Sequence, residues 1–505
     1  MILFLLPGST DLNLNKTATR RHLRKTALTL ALGALFATGA AQAQSSAVGS
    51  IFGSGMEPGT VVTVRNNDTG FQRQITVDAS GRYSIGALPT GTYSVAVDQS
   101  GQQTVLNTGV QVVIGGGTEV SGGAAAGGDV TTLGGVQVTG SRMPVIDVSS
   151  TDTRRVFTSE RLEQLPVRES LEQVALLAPG VVLADSRYPG AASFGGSAAS
   201  ENAIYINGYA VTNPLTNIGS TTLPFDAIGQ AQVITGGYGA EFGRSTGGVM
   251  NIVTKRGGNE WKFGGEMMYT PKGLRGNYED IRYEHNGLPA FDGLVYSRRS
   301  MREANEVKYG MYASGPLVKD RLFIYASGEL TNQSISTPGT ARPGGDAGWL
   351  KANLEDPRWM AKIDWNINDN HLLEFTAVSD TEKETRDNYS FVYTPGQDAF
   401  RLGERTGGIY YEDGGELYIG YLSDNLTLTA VYGEQSVDHI ETPFGYDPSE
   451  VYVADSRPVD EQISRGTIER LAYEGAYDET RGGRLDLEWR LGDHGLRFGY
   501  DRQDS

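Results

Sequence analysis

The sequence predicts a mainly β chain: a small N-terminal β-sandwich, an α+β unit, and then part of an antiparallel transmembrane β-barrel. Three observations predict it. Residues 44–117 hold short alternating segments with turn residues every ten or so positions. Residues 151–258 mix short helical and strand patterns. Residues 259–505 hold long alternating strands joined by connections that are tight and long in turn. Composition agrees, because 67 Gly and 25 Tyr without a Gly-X-Y period favour turn-rich, aromatic-rich strands over helix bundles or collagen.

Residues 1–43 read as a secretory signal peptide. Lys16, Arg20, Arg21, Arg24 and Lys25 precede the apolar stretch Thr26 to Ala37, and Ala41-Gln42-Ala43 supplies a small-residue cleavage pattern, with cleavage expected after Ala43. The apolar run is too short for a membrane-spanning helix. Met1 to Asn15 lie upstream of the signal. Removing the segment takes away five basic residues and one acidic one, leaving a remainder more acidic than the −17 of the whole chain. That balance argues against nucleic acid as a partner. Cysteine is absent, so disulfides and thiolate metal sites are excluded. Outside the signal no apolar run reaches the length of a membrane helix, so any spanning falls to strands.

In residues 44–117, Thr60-Val61-Val62-Thr63-Val64 and Tyr93-Ser94-Val95-Ala96-Val97 put alternate side chains toward one core. The turns Val77-Asp78-Ala79-Ser80-Gly81-Arg82-Tyr83 and Leu88-Pro89-Thr90-Gly91-Thr92-Tyr93 resemble those of the carboxypeptidase regulatory-like domain. That resemblance implies a transthyretin-like sandwich without catalytic residues of its own. No His lies between residues 44 and 284, so a His-Glu zinc site is missing here. Spacer, carbohydrate binder and protein binder remain open.

Residues 118–150 form a linker, and the stretch Gly115 to Gly128 that marks its boundary with the sandwich is almost entirely small residues and behaves as a tether. A β-prone segment follows, Val136-Gln137-Val138-Thr139-Gly140-Ser141-Arg142, suited to adding as an edge strand to another protein. It resembles the TonB box, the coupling peptide of TonB-dependent receptors, with Val136, Gln137, Val138 and Thr139 as the candidate contact residues. A first strand of the following domain is the alternative.

Residues 151–258 open with helical patterns at Thr158 to Pro166 and Ser170 to Leu177, then a strand at Ala203 to Ile206 before the turn Asn207-Gly208. The stretch from Ile228 to Gly258 is the most informative. Tyr238, Gly239, Glu241, Phe242, Gly243, Arg244, Gly247, Gly248 and Asn251 fall in a Gly-rich turn that leads into the strand Val249 to Thr254. A phosphate loop would lead into a helix N-terminus instead. The stretch resembles the end of the plug domain of TonB-dependent receptors, with Met250 where that family commonly has Ile. In that family an Arg/Glu network commonly ties plug to barrel, which makes Glu241 and Arg244 candidates. Solvated turn charges are the alternative.

In residues 259–505, Trp359, Ala361, Ile363, Trp365 and Ile367 share one face of a strand, expected to meet lipid. Lys362, Asp364 and Asn366 share the other, expected to meet water. Arg484 to Leu491 and Leu496 to Asp501 repeat the division. Tight turns near residues 315–320, 368–370, 423–425 and 492–494 alternate with long polar stretches near 271–304, 332–356, 381–413 and 436–483, as in outer-membrane barrels with long external loops. About nine strands are expected. Closed bacterial barrels have an even number, about 22 in plugged transporters, so the chain is expected to stop inside its barrel with an unpaired edge at Leu496 to Gln503.

The resemblance, closest to the Oar-like subgroup, implies a receptor in the bacterial outer membrane, with sandwich and plug on the periplasmic side or in the lumen. It implies energy-coupled uptake of an unidentified ligand, with outer-membrane lipid and a TonB-type inner-membrane coupler as partners. A surface-adhesion protein is the alternative. No cofactor, metal site or catalytic residue is expected: His285, His371, His439 and His494 are scattered and expected in loops or turns. Tyr278, Tyr283, Tyr296 and Trp349 are candidates for ligand contact or for an interfacial aromatic girdle.

Overall fold

A computed structural model describes residues 47–99, 102–121, 153–165, 170–284 except 186, 189, 215 and 277, 292–339, 348–393, 400–424, 428–443, 473–491 and 494–505. The expected signal peptide, the segment Val136 to Thr139 and His285 lie outside them.

The sandwich contains β1 (Val48–Gly53), β2 (Val61–Asn66), β3 (Gln72–Thr76), β4 (Tyr83–Pro89), β5 (Gly91–Gln99), β6 (Gln102–Val112) and β7 (Gly117–Glu119). They form sheets ordered β4-β1-β7 and β3-β2-β5-β6. The alternating residues Val62, Val64, Tyr93, Val95, Val110 and Val112 are all fully buried between the sheets, as the period of two requires. Two strands escape sequence patterning. Glycine-rich β1 pairs in parallel with the three-residue β7, Ser50 opposite Gly117, and a strand that short carries no period to read. The sandwich therefore extends past the expected boundary at 117. Val120 donates to the Phe52 carbonyl (2.8 Å) and accepts from the Tyr83 hydroxyl (2.6 Å).

The second unit holds β8 (Thr153–Thr158), α1 (Ser159–Glu163), α2 (Leu171–Ala175), β9 (Val181–Leu183), β10 (Ala192–Phe194), β11 (Ala203–Ile206), β12 (Tyr209–Ala210), β13 (Ile228–Gly236) and β14 (Val249–Thr254). Its main sheet runs β12-β11-β14-β13-β8. Both helices are shorter than their sequence patterns. α2 is capped by Ser170, whose hydroxyl accepts from the Gln173 N–H (3.4 Å), and it buries Leu171, Val174 and Ala175.

Among the described residues the third unit is a nine-stranded antiparallel sheet. It comprises β15 (Lys262–Thr270), then, after the short pair β16 (Ile281–Arg282) and β17 (Val295–Ser297), β18 (Glu303–Val318), β19 (Leu322–Pro338) and β20 (Trp349–Asn366). β21 (His371–Tyr393), β22 (Phe400–Asp424), β23 (Leu428–Pro443), β24 (Tyr473–Leu491) and β25 (His494–Asp504) complete it. Each strand pairs with the next in order.

The faces divide as the sequence predicts in one respect and not in another. Trp359, Ile363 and Trp365 are 45%, 39% and 45% exposed, so β20 does turn an apolar side outward. Lys362 and Asp364, expected to meet water, are each only 1% exposed, because the second unit fills the space inside the sheet. One apolar core joins Val211, Leu223 and Met250 of that unit to Tyr325, Met360, Leu417 and Ile419 of the sheet.

The long external loops need correcting too. Strands run through much of the stretches 332–356 and 381–413 and through both ends of 436–483, and β21 and β22 reach 23 and 25 residues. About 9–11 residues suffice to cross a bilayer, so in the expected barrel these hairpins would continue well past it. Beyond the membrane both faces of a strand meet water, so the sequence there is polar without being loop. For the same reason His439 lies inside β23 opposite Asp413, whose carboxylate its ring contacts, and His371 and His494 open strands.

Candidate functional site

The candidate site is the surface where the second unit meets the surrounding sheet. Its tightest part is a cluster of four buried charges. Asp364 and Glu374 stand directly opposite each other on β20 and β21, an arrangement in which like charges repel. Lys362 answers part of that charge, its Nζ lying 3.5 Å from Asp364 and 2.8 Å from Glu374. Arg256 supplies the second cation. It contacts Glu374 and lies 3.6 Å from Asp364, entering from the connection that follows β14. Burial works against its charge, yet the carboxylates of Glu374 and Asp364 hold the guanidinium above its ordinary pKa. At this cluster the sheet contributes two carboxylates and one ammonium, and the inner unit contributes the second cation.

Higher up, the segment 221–226 is held at several points. The Asp380 carboxylate accepts from the Thr222 N–H (2.9 Å) and hydroxyl (2.7 Å). Glu329 accepts from the Phe225 N–H (3.0 Å) and from Lys308 (2.9 Å). Gln435 donates to the Val211 carbonyl and the Thr221 hydroxyl, both at 3.1 Å. Tyr209 shows how closely the surfaces fit: a Cβ on Gly433 of β23 would meet its ring at 2.7 Å, so a side chain there would push the inner unit out of place. Burial pushes the Tyr209 phenol up from its ordinary value, leaving a neutral donor 3.4 Å from the Thr480 carbonyl.

The Gly-rich motif lies between β13 and β14 and braces the inner unit from within. Phe242 packs edge-on against Tyr205 with ring centroids 5.3 Å apart, and Tyr205 donates to the Gly243 carbonyl (2.8 Å). Burial pushes the Tyr205 phenol up to about 12. Tyr238 donates to the carbonyls of Ser245 (3.0 Å) and Gly247 (3.2 Å). Gly239 accepts from the Phe242 N–H (3.1 Å). Gly248 permits a close approach, since a Cβ there would lie 2.5 Å from the Phe194 Cβ. Gly247 donates to the Glu201 carbonyl (3.0 Å), and Asn251 is fully buried beside Gln232.

Glu241 and Arg244, the candidates for a network between plug and sheet, both touch the sheet. Arg484 donates to the backbone carbonyl of Glu241 (2.8 Å), and Arg244 bonds Gln503. A further Arg/Glu contact, between Arg256 and Glu374, ties the inner unit to the sheet. Arg256 follows the motif directly, but the sequence does not reveal which strand carries its partners.

The sandwich is docked as well. Gln230 of β13 accepts from the Ile114 N–H (2.9 Å) and donates to the Val112 carbonyl (3.2 Å), satisfying the end of β6 as a neighbouring strand would. Arg154 contacts the Gly115 carbonyl.

The aromatic candidates divide. Trp349 is buried against Phe391 (centroids 5.3 Å) and donates to Ser336 (2.7 Å). Tyr283 and Tyr296 pack edge-on at 5.1 Å. Tyr278 is exposed beneath the guanidinium groups of Arg299 and Arg302, at 5.1 and 5.7 Å. Among the described residues no group of three or more His, Asp or Glu is placed to hold a metal ion, and no helix is long and apolar enough to cross a membrane.

Family comparison matches residues 54–121 to the carboxypeptidase regulatory-like domain and residues 147–249 to the TonB-dependent receptor plug domain. The TonB-dependent transporter Oar of Myxococcus xanthus is 27% identical over 402 residues, 72% of this chain and 36% of that protein. The chain thus spans about a third of the length of the curated relative it matches. The outer membrane transporter YddB of Escherichia coli superposes with a TM-score of 0.42 at 15% identity, over 70% of this chain and 56% of its own. FpvA of P. aeruginosa, bound to a pyoverdine–iron complex, gives 0.41 at 11%, over 70% and 51%. In chain order the protein thus carries a carboxypeptidase regulatory-like sandwich, a plug domain of the TonB-dependent receptor type and an antiparallel sheet that surrounds the plug.

Proposed function

We propose that the protein takes up a ligand across the bacterial outer membrane by energy-coupled rearrangement of the plug. One observation carries this reading above the others: the plug is seated inside a sheet whose inner face bonds it and whose outer face is apolar. A transport path through such an object opens only when the plug moves. Above Asp364 the plug meets the sheet both through hydrogen bonds at Thr221, Thr222 and Phe225 and through the apolar core the two share.

In this reading a TonB-type inner-membrane protein pairs with the segment Val136 to Thr139, outer-membrane lipid covers Trp359, Ile363 and Trp365, and the ligand enters from the side of the long hairpins. Nucleic acid has no part in it, and no bond is made or broken in the cargo. The length of β21 and β22 also favours a second reading, adhesion through the projecting hairpins.

Growth of a deletion strain on iron chelates, glycans and peptides identifies the cargo class. Val138→Pro, which removes a backbone donor from the pairing strand, is then expected to reproduce the deletion phenotype with normal surface display. Growth at the wild-type rate would favour adhesion.

A further inference from the structure

A cleft of about 460 Å³ opens between the sandwich and the first two tight turns of the sheet, lined by Arg65, Gln72, Asp320, Arg321, Asn366 and Asp369 among others. Asp320 is already engaged. It accepts from Asn259 Nδ2 and its backbone N–H donates to Asn259 Oδ1, both at 2.7 Å, while the Asn259 N–H donates to the Asp68 carbonyl (2.7 Å). These bonds join sandwich to sheet along one side of the cleft.

The other groups are uncommitted. Among the described residues neither Arg65 nor Arg321 has a carboxylate within ion-pair distance. Asn366 is only 7% exposed, yet its side-chain Nδ2 lacks a hydrogen-bond partner. A buried donor left unmade costs about 1–3 kcal/mol, and this one belongs to a side chain that lines the cleft together with Arg65 and Arg321. Asp369, exposed at the opposite turn, offers a negative charge.

The surroundings identify the acceptor's source. Leu317 and Val318, just before the first turn, are 49% and 51% exposed, and Trp365, beside Asn366, is 45% exposed. These apolar side chains lie on the strand ends next to the two turns, Trp365 on the face of β20 opposite Asn366. Trp is enriched at membrane interfaces, and basic pockets at a membrane rim favour lipid phosphates.

We propose that the cleft seats the zwitterionic headgroup of an ethanolamine-type phospholipid. The phosphate faces Arg65, Arg321 and the Asn366 amide, and the ammonium faces Asp369. The inference rests on the outer-membrane reading of the sheet. A bound lipid would join the sandwich to the membrane rim and hold it beneath the barrel wall.

The test uses the full chain, first shown to float with phospholipid vesicles and then purified in a non-ionic detergent. Failure to float would count against the membrane reading itself. Native mass spectrometry then measures retained phosphatidylethanolamine and phosphatidylglycerol. Arg65→Ala with Arg321→Ala is expected to lower phosphatidylethanolamine retention by about tenfold or more, given the strength of charge-assisted bonds to phosphate. Asn366→Leu should lower it less, Asp369→Asn should shift preference toward phosphatidylglycerol, and Arg502→Ala, on distant β25, should change nothing. Unchanged retention in the double variant would overturn the proposal. So would displacement of the lipid by equimolar inorganic phosphate or glycerophosphoethanolamine, which would assign the cleft to a soluble phosphate.

Discussion

Arg256→Ala is expected to destabilise the folded protein by about 3–5 kcal/mol, the usual cost of removing one partner from a buried ion pair. The substitution leaves Asp364 and Glu374 opposite each other with Lys362 as their nearest cation. Both carboxylates lie where water cannot compensate, at 1% and 9% side-chain exposure. Urea unfolding of the detergent-purified protein measures the loss. Arg256→Lys should recover part of it, since it restores the charge without the planar fork. A loss under about 1 kcal/mol, the size of an exposed pair, would show that the cluster does not fix the plug.

Ile363→Arg should cost about 2–4 kcal/mol of folding into a bilayer if the residue lies near mid-depth, and less if nearer the rim. Ile363 sits between Trp359 and Trp365 on the outward face of β20, so a cation there meets hydrocarbon. Asn370→Arg, in the tight turn after β20, should cost nothing measurable, because that position is exposed in a polar turn. Urea titration of folding into vesicles compares the two. Equal costs would mean that lipid does not cover the outward face of β20.

Periodic features were legible in the sequence and pairwise ones were not. The outward face of β20 could be read because Trp359, Ile363 and Trp365 alternate with charges over a long run. The strand pair around the Gly-rich motif could be read because glycine is required where backbones meet closely, as at Gly248. Arg256, by contrast, precedes Asp364 and Glu374 by about a hundred residues, and a single charge carries no period. Gln230 and Gln232 look like ordinary polar positions in a half-exposed strand, whereas they are buried against the sandwich. The extended hairpins were read as loops because a strand that leaves the bilayer loses its apolar face while keeping its ladder. Burial of Lys362 and Asp364 likewise depends on the plug occupying the lumen, which the local sequence of β20 does not record.

The account depends on β20 and β21 presenting alternate residues to lipid and to plug. Because the chain contains no cysteine, nitroxide labels can be placed singly at Ile363→Cys, Phe375→Cys and Asn370→Cys in vesicle-reconstituted protein and their collisions with oxygen and with a water-soluble nickel chelate compared. The first two labels are expected to favour oxygen and exclude the chelate, and the third to do the reverse. Chelate access at Ile363 and Phe375 equal to that at Asn370 would contradict the assignment of this face to the membrane.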